Sequence, residues 1–84
     1  MMDYAQTLYD ICVELVDHKN HLEIRELPSA DDDVKVFCVY ADTADISKLI
    51  GRKGIMANSI RRLMSVPGRL NDQRLDIKFE SYGD

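Results

Sequence analysis

The residues best placed to do chemistry sit together in mid-chain: Gly51-Arg52-Lys53-Gly54, two glycines three positions apart with two cations between them. Glycine accepts positive φ and lets another backbone come close. An apolar helical pattern enters the stretch through Ile46, Leu49 and Ile50, and another leaves it with Met56, Ala57, Ile60, Leu63 and Met64 expected on its buried side. A turn that opens directly into a helix presents unpaired N–H groups at the positive end of a dipole, which is a ready site for an anion. Arg52 and Lys53 add two charges at the same spot. The chemistry on offer is electrostatic and hydrogen-bonded capture of a phosphate chain.

Charge distribution supports that reading where total charge does not. The 84 residues carry a net charge of −4, yet residues 46–74 hold seven cations (Lys48, Arg52, Lys53, Arg61, Arg62, Arg69, Arg74) against the single acid Asp72. Local field decides where a polyanion docks. The expected molecule is polar, with one basic face on an otherwise acidic body.

The elements that must hold this turn read as follows. Leu8, Ile11, Cys12, Leu15 and Val16 keep helical spacing, with Asp3 as cap and Gln6 at the capping-box position. That helix is expected to stop near residue 18 to 20. Leu22 to Leu27 alternates as a short strand, and Pro28 to Asp33 is a turn. Val34 to Ala41 is the strongest strand, with Val34, Val36, Cys38 and Tyr40 taken as core-facing and Phe37 and Val39 as the outer face. Asp42-Thr43-Ala44-Asp45 carries capping chemistry for the helix that Gly51 ends. Pro67-Gly68 should stop or kink the next helix, and Leu75, Ile77 and Phe79 mark a final strand before a frayed 81–84. The fold class is α+β, in the order α-β-β-α-α-β. A short hairpin and a long helical crossover give a mixed three-stranded sheet with three helices on one face.

Ile50-Gly51-Arg52-Lys53-Gly54 resembles the GxxG loop of KH domains. Ala57 falls three residues after the second glycine, and Ile60 and Arg61 six and seven after it. The nearest resemblance is to the small stand-alone bacterial KH proteins of the KhpA family, over about residues 4 to 80. It implies the type II KH arrangement, a single KH domain over 1–84, and single-stranded RNA as partner in the cytoplasm. It also implies a role as RNA chaperone or post-transcriptional regulator beside a second RNA-binding protein. In this reading Gly51, Arg52, Lys53 and Gly54 hold the backbone, Ile46, Ile50 and Ala57 floor the groove, and Lys48 and Arg61 reach the strand. Ser65-Val66-Pro67-Gly68 departs from the family's longer Ala-rich helix.

The competing reading is a protein-interaction or dimerisation module with little RNA affinity, using the outward pair Phe37 and Val39; a homodimer or heterodimer is expected in either case. Cys12 and Cys38 read as reduced core residues. His18 and His21 read as solvent-facing, without a Cys/His cluster to make them metal ligands. Asp31-Asp32-Asp33 lacks the glycine and distal glutamate of a calcium loop. No catalytic triad or Walker loop is recognisable, so no enzyme and no cofactor are expected. No signal peptide is recognisable at Met1-Met2-Asp3. Nor does any apolar run approach the roughly 20 residues of a membrane span.

Overall fold

The computed structural model describes residues 3–83. Helix α1 (Tyr4–Val13) leads into β1 (Glu23–Leu27) and β2 (Val34–Ala41), then α2 (Thr43–Ile50), α3 (Ile55–Leu70) and β3 (Arg74–Ser81). The sheet order is β1-β2-β3, with β1 antiparallel and β3 parallel to β2. All three helices cover one face, as the element order predicts.

The first helix is shorter than its periodicity predicts, and a buried carboxylate explains why. In a continuing helix the amides of Asp17 and His18 would donate to carbonyls four residues back. Here they donate to Asp45 Oδ1 at 3.0 Å and Oδ2 at 2.9 Å instead. Lys19 Nζ takes up the carbonyls left open, donating to Val13 O and Val16 O. Val16 is still buried. At the other end Asp3 Oδ1 accepts from the Gln6 amide as expected, but the Gln6 side chain donates to Asp10 and leaves the capping box open.

Strand β2 faces the opposite way from the sequence expectation. Phe37 is 2% exposed and Val39 is fully buried, both on the helix-covered side together with Ala41. Val36, Cys38 and Tyr40 therefore lie on the open face. Both sets are apolar, so alternation alone does not choose between them. Burying Phe37 and Val39 leaves the Tyr40 hydroxyl within reach of water, where desolvating it would be costly. The parallel register is consistent, since Phe37 and Val39 pair with Ile77 and Phe79. Phe37 meets Tyr4 edge to face at 6.4 Å. Phe37 and Val39 are thus core residues and not a partner surface. Both cysteines are free and buried, Cys12 in the core as expected and Cys38 outside the core cluster on the other side of β2.

Pro67-Gly68 does not stop the third helix, which runs on to Leu70. The proline removes only one hydrogen bond, one turn from the end. The carbonyls beyond it are met from outside the helix: Asn71 Nδ2 donates to Pro67 O at 2.8 Å, and the amides of Asn71 and Gln73 donate to Gly68 O. A Cβ on Gly68 would lie 2.6 Å from Gln73 O, so glycine lets the returning chain cross the helix end. Of the residues expected to fray, Ser81 and Tyr82 are held in place, and Asp84 lies outside the described residues. Ser81 closes β3, and the Tyr82 hydroxyl donates to His21 O at 2.7 Å. Among the described residues no helix is long and apolar enough to cross a membrane.

Candidate nucleic-acid interface

The loop between α2 and α3 is built from left-handed backbone. Gly51 has φ +75°, Lys53 φ +57° and Gly54 φ +77°. A 3₁₀ turn, Arg52–Gly54, joins the helices. The two glycines are there for different reasons. A Cβ at Gly51 would fall 2.8 Å from Met56 Cβ, so its absence lets the loop close onto α3. A Cβ at Gly54 would meet nothing within 4 Å. Gly54 thus serves backbone conformation and leaves open space above the start of α3. Lys53 occupies αL without being glycine, a strain of about 1 kcal/mol that tends to mark functional turns.

The turn uses some of the amides that the sequence left open. Gly54 N donates to Gly51 O at 3.2 Å, and the Ile55 amide donates to Arg52 O. Arg52 and Lys53 are exposed and make no ion pair among the described residues. Their charge is free for an anion.

The other residues assigned to the interface divide. Ile46 and Ala57 are buried, 7% and 3% exposed, and act as scaffold. Ile50 is exposed beside the loop, and across it Ile55 is exposed more fully, an apolar neighbour that the sequence pattern did not single out. Lys48 is bonded to Asp17 and lies 3.8 Å from Asp45 Oδ1, so it braces α2 against the end of α1. The acids beside Lys48 hold its pKa above the ordinary value, the Asp17 hydrogen bond foremost. Arg61 turns to the sheet edge: Nε and Nη2 donate to Ile77 O at 3.1 and 3.0 Å, Nη1 donates to Asn58, and the guanidinium lies over the Phe79 ring. It covers a β3 carbonyl that would otherwise be an open edge.

Two features escaped the sequence reading. Leu63, expected on the buried side of α3, is instead exposed, and with Val66 and Leu70 it forms an apolar stripe along the helix, at 57%, 58% and 82%, while Met64 beside it takes the core position. His18 and His21, exposed as expected, are not without partners: they meet Asp42 and Asp45, more than 20 residues away in sequence. The stripe was legible in its i, i+3, i+7 spacing, but that spacing also describes core. The cluster left no local signal.

A family model described as KhpA/KhpB, KH domain, matches residues 5–79. No curated protein matches the chain.

Proposed function

Because the chain belongs to the KhpA/KhpB KH-domain family, we propose that it holds single-stranded RNA by its backbone at Gly51–Gly54, as an RNA chaperone or post-transcriptional regulator. The observation that carries this reading is the unpaired, exposed Arg52–Lys53 pair on a left-handed turn with open space above Gly54. Phosphates run past the glycines and the two cations neutralise them, with Ile50 and Ile55 beside the sugars and bases. No aromatic side chain belongs to this loop, so discrimination between bases is weak. The test is Arg52→Asp with Lys53→Asp, titrated with an oligoribonucleotide at two salt concentrations. Loss of affinity on the order of 100-fold at low salt, with the salt slope shallower by roughly 0.7 per lost contact, is expected. Unmoved amide shifts at the loop in the parent protein would end the proposal.

The exposed stripe of α3 favours a second, compatible role in self-association or pairing with another RNA-binding protein. A single KH unit grips few nucleotides and gains affinity from pairing. In a homodimer built on α3, Arg62 and Arg69 bring like charges to the seam, so salt should strengthen association. Light scattering should then show a dimer that Leu63→Asp converts to monomer.

A further inference from the structure

The geometry points to a divalent metal site at the opposite end of α2, formed by His18 Nδ1 and the carboxylates of Asp42 and Asp45, for a first-row ion of zinc-like chemistry. Their ligand atoms all lie within 4.8 Å of one another. His18 Nδ1 is 3.3 Å from Asp45 Oδ2 and 3.5 Å from Asp42 Oδ2. Zinc bonds of about 2.0–2.2 Å place tetrahedral ligands roughly 3.4 Å apart, so the two separations from His18 match that spacing, and the Asp42 and Asp45 side chains adjust around the ion to complete it. One imidazole nitrogen and two carboxylates are a donor set that zinc, cobalt and manganese accept.

Three further observations support an ion over a plain hydrogen-bonded cluster. A neutral imidazole has one N–H, and two carboxylates converge on the same nitrogen, so it serves at most one of them. Asp42 occupies the N-cap position of α2 but makes no capping bond; its carboxylate is turned to the histidines. A side chain in that place ordinarily accepts from the helix amides. Finally, a surface groove lined by Asn20, His21, Leu22, Asp42 and Tyr82 reaches the cluster at Asp42, and the His18 ring is exposed, so solvent has access to complete the coordination.

The surrounding groups have consistent parts. His21 Nδ1 is 3.0 Å from both Asp42 oxygens and orients that ligand by a hydrogen bond. Asp45 Oδ2 accepts the His18 amide and keeps a second lone pair for the ion. Lys48, the nearby cation, approaches Oδ1, the other oxygen of Asp45. An ion here would tie the α1–β1 connection to the start of the helix whose far end carries the RNA loop.

The test uses the intact protein in metal-free buffer at pH 7.5, with zinc and cobalt chloride as probes. Saturable binding of one equivalent, movement of the His18 imidazole nitrogen resonances and a higher thermal midpoint are expected. His18→Gln and Asp42→Asn should each weaken binding by roughly tenfold or more and abolish the thermal shift. The imidazole readout on the parent protein does not depend on how the variants fold. His18 resonances unmoved at millimolar zinc would overturn the proposal, as would binding that survives in the double variant.

Discussion

Helix α2 is eight residues long, and its two ends have opposite electrostatic character. At its start Asp45 is buried, accepts two backbone amides, and faces His18 and Lys48. At its finish Arg52 and Lys53 stand exposed without an ion pair among the described residues. Both signs suit the dipole of α2, whose positive start favours acids and whose negative finish favours cations. What differs is satisfaction. Charges whose partners are internal hold the fold together, whereas charges without partners are available to a ligand. The same short helix thus joins a structural anchor to a binding loop, and substitutions at its two ends should fall into separate assays.

The largest stability effect is expected at the anchor. Asp45→Ala leaves the part-buried amides of Asp17 and His18 without their acceptor and removes a buried side chain, and should lower the thermal midpoint more than any change in the loop. RNA contacts at the loop should persist in the folded fraction. The Asp17 and His18 amides hold the Asp45 pKa below the ordinary carboxylate value, with the His18 ring adding to the effect. A depressed folded-state pKa gives stabilisation that is complete above the unfolded value and lost as pH falls through the folded one. In metal-free buffer the parent should therefore lose this advantage below about pH 3.9, and Asp45→Asn should narrow the difference. Equal acid sensitivity in parent and variant would contradict the anchor's role.

Next in size come the two glycines, which divide the loop end itself. Gly51→Ala combines positive φ with a 2.8 Å approach to Met56 Cβ, and should cost about 3 kcal/mol in urea denaturation. Gly54→Ala meets only the backbone penalty, about 1 kcal/mol. Its new Cβ points into the space assigned to the RNA backbone, so its affinity loss should exceed what its stability loss suggests. Equal costs at the two positions would dissolve the distinction between packing glycine and clearance glycine.

Most of the architecture was legible because alternation and helical spacing are local. Leu75, Ile77 and Phe79 named the core face of β3 outright, and the loop glycines were visible as a pair. What was not legible depended on contacts distant in sequence. The early end of α1 is imposed by Asp45, and the inward turn of Phe37 is settled only once β2 is registered against β3. The same reason hid the engagement of Lys48 and Arg61, which the sequence offered as free cations. Their partners, Asp17 and the Ile77 carbonyl, lie 31 and 16 residues away. The passage of α3 through Pro67 depends on Asn71 and Gln73, which follow the helix and are silent in its pattern.

The smallest effect is also the sharpest test of the loop's purpose. Lys53 has φ 57° and ψ 23°, a conformation that asparagine adopts more readily than lysine. Lys53→Asn should stabilise the fold by a few tenths to about 1 kcal/mol, since the lysine has no ion pair among the described residues to lose. The same change removes one phosphate contact, so RNA affinity should fall and its salt slope should shrink by roughly 0.7. A substitution that improves folding and weakens binding identifies strain retained for the ligand. If Lys53→Asn lowers stability instead, the lysine supports the fold, and the contrast between the two ends of α2 fails at its exposed side.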